Sequence, residues 1–361
     1  MKKKKALRVL FGFGLFIVYG LLAVTIVVPV VATIFLCAFA FGKRVELSKK
    51  YETLEDYPDL DATYVKFKSK GCTLDGFFVT NKNIKDYKAV IVMAHGIGCS
   101  RANYMARYDY FARKGYIVFA YDCTGTCKSE GRDIKGLPQS QLDLENAINY
   151  VGTIEKLKDY KILVYGHSWG GYAAATVLNN KKCAEKITAV VTCSGFNDIW
   201  NIVYFQVAKY TTKMILLAKP WLYLHFIVFY GKRALYTGIG GINKYKGDVL
   251  VMHSKDDKTV RYHDSVAIHK DKCTNPNAKF VIFEDRGHTL ARPIEIEEEI
   301  KEINKNNVST LKRGKTNVFE HNLNVYYQFA DRRRLNSVDE KFMDSVEEFY
   351  SQALKKAEER A

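Results

Sequence analysis

Residues 164 to 175 read VYGHSWGGYAAA and set a serine between two glycines. Ser168 follows Lys161-Ile162-Leu163-Val164-Tyr165, an apolar run short enough to be a buried strand. The residues after it, Ala173, Ala174, Ala175, Val177 and Leu178, predict a packed helix. A strand that turns into a helix within one residue strains the residue at the corner. Glycine on either side lets the two arms approach closely, because it has no Cβ. Gly166-x-Ser168-x-Gly170 is therefore the pattern of a nucleophile elbow, which lifts a hydroxyl above a sheet. Average glycine and serine usage produces this pattern by chance about one time in ten in a chain of this length, so it needs partners. Without them, Ser168 is only a helix cap.

A serine hydroxyl attacks a carbonyl only when a base takes its proton, and the base must be held by a carboxylate. For an elbow of this kind the chain order is serine, acid, histidine. Downstream, HSKDDKTV and EDRGHTL each follow an apolar strand, where a parallel sheet places reactive loops. Asp257 is the expected acid and His288 the expected base, with Asp256 open as the alternative acid. His225, His253, His263, His269 and His321 fall in segments that predict surface or packed positions. The oxyanion formed by attack needs preorganised N–H donors. The expected pair is the amide of Trp169, next after the nucleophile, and that of Ile97 in the loop His95-Gly96-Ile97-Gly98.

These residues require a sheet to position them. Two alternating runs, ATYVKFKS and CTLDGFFVT, predict a pair of antiparallel edge strands. Continuous apolar runs at 89–96, 116–122, 187–195, 248–254 and 279–285 predict buried strands, and helical spacing appears around 104–114 and over 139–157. Strands alternating with helices make this an α/β fold, a mostly parallel sheet with helices on both faces. The organisation expected is residues 61–195 and 246–361 as two halves of one core, with a helical cap over 196–245 and a polar insert at 292–335. The cap is rich in aromatics (Trp200, Tyr204, Trp221, Phe226, Phe229 among them), and its stretch WLYLHFIVFY is too short to span a bilayer but can dip into one. Val338, Phe342, Val346, Phe349 and Ala353 give the last helix an apolar stripe.

From Val9 to Gly42 run 34 residues without a charge, ample to cross a bilayer even with Pro29 inside. A signal peptide is the competing reading, with Ala38-Phe39-Ala40 resembling a cleavage site, but its apolar region would be about 7 to 15 residues. Residues 1–42 are read as a single-pass membrane anchor and 43–60 as a linker. Lys2 to Lys5 and Arg8 then stay cytoplasmic and the folded domain lies outside, although Lys43, Arg44, Lys49 and Lys50 weaken the bias. Half of the net charge of +16 lies in the first 50 residues, and no basic stripe with interleaved aromatics follows, which argues against nucleic acid as a partner. The eight cysteines show no zinc-type spacing, and no metal or organic cofactor is implied.

The stretch MAHGIGCSRANYMARYDYFARKGYIVFAYDCTGTCKSEG, with GHSWGG, HSKDDKTV and the Gly287-His288 pair, resembles α/β-hydrolases of the monoacylglycerol-lipase and serine-aminopeptidase-like group over roughly residues 60–290. In that group HGxG precedes a helix, a GYxV strand and an Asp-Gly-Ser-x-Gly turn, here Asp122, Gly125, Ser129 and Gly131. An apolar segment ahead of such a domain also resembles membrane-anchored hydrolases of Gram-positive bacteria. Thr126-Cys127, where the group carries a His-Gly-like pair, and the insert after His288 depart from the pattern. The resemblance implies a serine hydrolase of small-molecule or lipidic carboxylic esters. Peptidase, thioesterase or acyltransferase chemistry on the same triad, and a catalytically inert binding protein, remain as alternatives.

Overall fold

A computed structural model describes residues 2–46, 52–208, 219–311 and 331–360. Its centre is an eight-stranded sheet in the order β1-β2-β4-β3-β5-β6-β7-β8. The strands are β1 (Leu60–Ser69), β2 (Cys72–Asn81), β3 (Val90–Ala94), β4 (Ile117–Tyr121), β5 (Ile162–His167), β6 (Ile187–Cys193), β7 (Asp248–Ser254) and β8 (Ala278–Phe283). From β4 to β8 every pairing is parallel, and β1 and β2 are antiparallel. β3 to β7 are buried almost throughout, which explains why apolar residues predominate in them without alternating with polar ones.

The helices are α1 (Lys2–Leu22), α2 (Val28–Phe41), α3 (Met105–Arg113), α4 (Pro138–Val151), α5 (Trp169–Thr176), α6 (Lys181–Ala184), α7 (Ile199–Ala208), α8 (Lys219–Tyr230), α9 (Gly238–Lys244) and α10 (Ile294–Leu311). A C-terminal helix, Glu340–Glu358, packs Phe342, Met343, Val346, Phe349, Tyr350, Ala353 and Leu354 into the core. Two apolar layers result. One joins α4, α5 and the cap to the sheet, and the other joins α3 and the C-terminal helix to its opposite face.

Two expectations are corrected, and the insert is filled in. Of the hairpin's two strands, β1 alone lies at a sheet edge, because β2 also pairs with β4 through Gly76–Val79, so the hairpin extends the sheet. The helix expected over 139–157 stops at Val151. Gly152 follows, Thr153 Oγ1 bonds the Tyr150 carbonyl at 2.7 Å, and Ile154 begins a separate short turn. The insert at 292–335 contains α10, whose first turn carries Glu295 and Glu297, charges suited to a helix N-terminus. Residues 312–330 lie outside the described residues, as do 209–218 of the cap and 47–51 of the linker. The start of that linker is docked: Arg44 donates to the carbonyls of Cys127, Ser129 and Gly131, and Val45 bridges Thr126. All eight cysteines are free thiols.

Leu10–Phe41 is 32 residues of helix, long and apolar enough to cross a membrane. Proline has no N–H to donate and crowds the carbonyl one turn earlier. Immediately before Pro29 the helix widens into a π turn over Ala23–Val27.

The corner between β5 and α5 leaves no room for side chains at its glycines. A Cβ on Gly166 would lie 2.1 Å from the Gly170 carbonyl oxygen, and one on Gly170 would lie 2.0 Å from that of Ala94. Because both obstacles are backbone, Gly170→Ala should destabilise the fold by about 3 kcal/mol or more. Urea denaturation of the full chain in detergent micelles measures this. A loss within error of zero would mean the helix is not pressed on β3.

Candidate active site

Ser168 occupies the corner with φ 58° and ψ −115°, a conformation that a residue with a Cβ reaches only under strain. Its environment holds it there. The Ser168 N–H donates to the Cys193 carbonyl at 2.8 Å, and its own carbonyl accepts the Tyr172 N–H at 2.9 Å. The loop after β3 comes close, since a Cβ on Gly96 would lie 3.4 Å from Ser168 Cβ. Among the described residues, neither the Ile97 nor the Trp169 amide donates a hydrogen bond, and Ser168 Oγ makes none. The Trp169 side chain belongs to the core: it is 1% exposed and its indole N–H donates to the Leu137 carbonyl at 2.7 Å.

The loops after β7 and β8 bring the acid and the base together. His288 Nδ1 lies 2.7 Å from Asp257 Oδ2, while Asp257 Oδ1 accepts the Thr259 and Val260 N–H groups at 2.8 and 3.0 Å. Asp257 is buried, so this carboxylate is saturated by fixed donors. Asp256, the open alternative, turns elsewhere. Its Oδ1 accepts from Ser254 Oγ at 2.6 Å and from the Gly287 N–H at 2.8 Å. One acid thus holds the imidazole and its neighbour holds the backbone that carries the imidazole. The structure brings Asp257 to His288, and no hydrogen bond joins Ser168 Oγ to His288.

A second network was not foreseen from the sequence. The Gly96 N–H donates to Tyr104 Oη at 2.9 Å, Tyr104 Oη meets His167 Nδ1 at 2.9 Å, and His167 Nε2 meets the His288 carbonyl at 3.0 Å. A carbonyl only accepts, so His167 Nε2 carries the proton. Nδ1 then accepts from the tyrosine hydroxyl. Ser194 Oγ donates to the same His288 carbonyl at 2.7 Å. The Gly96 loop, the elbow and the histidine loop are therefore tied into one piece. The only sequence signal was position: Tyr104 and His167 sit within or beside HGIG and GHS. Arg107 supports the arrangement from below, buried against the Tyr104 ring at 4.9 Å and donating to the Thr289 carbonyl at 3.4 Å.

Burial holds the pKa of His167 well below the ordinary imidazole value, helped by the positive charge available at His288 and Arg107. Burial also lowers His95, whose Nε2 accepts the Cys123 N–H at 2.9 Å, and His253, whose Nε2 contacts the Val260 carbonyl at 3.0 Å. In each case the unfolded chain binds a proton near pH 6.5 that the folded chain refuses. The stability these groups contribute is present above pH 6.5 and is lost as pH falls through the lowered folded values. Denaturant midpoints should therefore fall steadily from pH 7 to pH 5, and the slope should shrink in His253→Gln. An unchanged slope would mean that His253 titrates normally in the fold. Among the described residues, no group of three His, Cys, Asp or Glu side chains is placed to hold a metal.

Residues 85–239 match the family model described as serine aminopeptidase, S33. The quorum-quenching protein AidA of Acinetobacter baumannii is 29% identical over 113 residues, 30% of this chain. The chain spans only 37% of that relative's length. Among solved structures, the esterase Pf2001 of Pyrococcus furiosus superposes with a TM-score of 0.53 at 19% identity, covering 73% of this chain and 96% of the other. The acetyl xylan esterase of Paenibacillus sp. R4 superposes with a TM-score of 0.50 at 18% identity, covering 70% and 85%. With its mostly parallel sheet and the match over β3 to the cap, the chain has an α/β-hydrolase fold and is similar over residues 85–239 to the serine aminopeptidase S33 family.

Proposed function

We propose that this protein is a membrane-anchored serine hydrolase of carboxylic esters, with Ser168 as nucleophile, His288 as base and Asp257 as the acid that orients it. The observation that carries this reading is the 2.7 Å Asp257–His288 contact on a loop tied through His167 to the elbow whose serine is kept at a strained corner. Asp257 fixes the proton on Nδ1 of His288 and leaves Nε2 as the basic nitrogen. With substrate bound, the Ser168 hydroxyl turns to Nε2, loses its proton there and forms a bond to the ester carbonyl carbon. The carbonyl oxygen becomes an oxyanion, held by the unengaged N–H groups of Ile97 and Trp169. Collapse expels the alcohol, which leaves with the proton from His288. Water then attacks the acyl-enzyme by the same route and releases the acid. Catalytic hydrogen bonds are often long or absent before substrate binds, so the open Ser168 hydroxyl fits this sequence of steps.

The span Leu10–Phe41 supports anchoring, and Lys2 to Lys5 with Arg8 support an extracytoplasmic domain. The aromatic cap and the anchor favour apolar acyl groups. The esterase folds among its structural neighbours agree with ester chemistry.

Ser168→Ala should lower hydrolysis of short p-nitrophenyl esters by on the order of 10⁴-fold or more with the fold intact. It should also abolish labelling by a fluorophosphonate probe. Equal activity or equal labelling in wild type and variant would remove the assignment. For the oxyanion site, the side chain of Ile97 is 40% exposed and its amide is the working part. Ile97→Ala should therefore leave kcat nearly unchanged, whereas Ile97→Pro, which deletes the N–H, should lower kcat by about 10²- to 10³-fold. Equal effects of the two substitutions would move the oxyanion donor elsewhere.

A further inference from the structure

The membrane-compatible helix does not end in free chain. At its C-terminal turn the Phe41 ring meets Phe226 of α8 edge-on at 6.1 Å, so the helix is seated on the cap. Between α2 and α8 lies a cavity of about 450 Å³. One wall is apolar, built from Ile34 and Phe41 of α2 and Phe229 of α8, and the other presents Lys70, Arg132 and Lys135. The one carboxylate in its lining, Asp133, pairs with Arg132 at 3.4 Å. Lys70 Nζ rests on the Phe229 carbonyl at 2.9 Å, and Lys135 Nζ lies 3.3 Å from Cys72 Sγ. Neither ammonium has a carboxylate partner among the described residues. Both lysines sit at positive φ, 36° and 60°, so two turns hold cations at the end of the span.

The apolar side of the cleft continues outward. Phe35 of α2 is 72% exposed, and Val228 and Phe229 of α8 are 70% and 59% exposed. Adjacent helices that expose large side chains on one surface mark a contact with another apolar phase. Here that surface is continuous with the span itself, and cations lie where the span ends, at the depth of the headgroups. We propose that the cleft between α2 and α8 binds the phosphate-bearing headgroup of an anionic bilayer lipid, with the acyl chains lying along α2 and the outer face of α8. This rests on reading Leu10–Phe41 as a membrane span and is independent of the chemistry at Ser168.

The test uses the full-length protein in detergent micelles, with phosphatidylglycerol and phosphatidylcholine supplied in equal amounts and bound lipid counted by native mass spectrometry. The comparison is Lys70→Asn/Arg132→Gln/Lys135→Asn. All three positions are exposed, and asparagine tolerates the two positive-φ sites. Each basic side chain at an anionic lipid surface contributes roughly fivefold in affinity, so the triple variant should bind phosphatidylglycerol on the order of a hundredfold more weakly. Wild type should retain phosphatidylglycerol over phosphatidylcholine, and millimolar inorganic phosphate should not displace it. Equal retention by wild type and variant, or no preference for the anionic lipid, would overturn the proposal. Full displacement by inorganic phosphate would make the cleft a site for a soluble phosphate and would also overturn it. Flotation with vesicles separates the two failures: wild type that floats but shows no lipid preference refutes only the cleft, and wild type that does not float refutes the span as well.

Discussion

The close approach of α5 to β5 and β3 is the constraint on which the rest depends. Two glycines let backbone meet backbone at this corner, with Gly170 pressed against the Ala94 carbonyl. No residue with a Cβ fits either position, and Ser168 is left as the strained residue between them. Strain of this kind persists only where the surroundings over-determine it. The hydrogen bonds to Cys193 and Tyr172 and the fully buried Ala173, Ala174 and Ala175 supply that determination. The same approach sets the Trp169 amide at the start of a helix, where its N–H has no intrahelical partner.

Around the corner, polarity runs in one direction, from the Gly96 amide through Tyr104 and His167 to the His288 carbonyl. Every donor in it faces a group that accepts, so a neutral His167 is a structural requirement. A proton added to its ring would place a positive charge in a buried space facing Arg107. The histidine loop gains two further restraints from Asp256 and Ser194. His288 is thus held through its backbone by three elements and through its ring by Asp257.

The N-terminal segment and the cap meet at Phe41 and Phe226, and Trp200 stacks on Tyr223 at 3.4 Å beside them. The aromatics that mark the cap in the sequence therefore also serve as the seat of the helix. Arg233, near the end of the cap, reaches Glu145 of α4 at 2.7 Å, which gives that buried carboxylate its counter-charge.

Much of this was legible in the chain. Strand runs such as Val90–Ala94 and Ile117–Tyr121 are apolar throughout because parallel strands are buried on both faces, and the glycines flanking Ser168 announce their corner by spacing alone. Local pattern reports local geometry, so GxSxG, the HGIG loop and the apolar span could be read without coordinates. Asp257 is the acid expected from the sequence, but what turns Asp256 away from the same ring could not be read, since adjacent carboxylates look alike until a loop conformation points them apart. Nor could the Tyr104–His167 tie, the internal position of β2, or the cationic cleft beneath α2. Each depends on residues far apart in the chain meeting in space, and hydrogen-bond direction, burial and charge pairing exist only once the fold has brought them together.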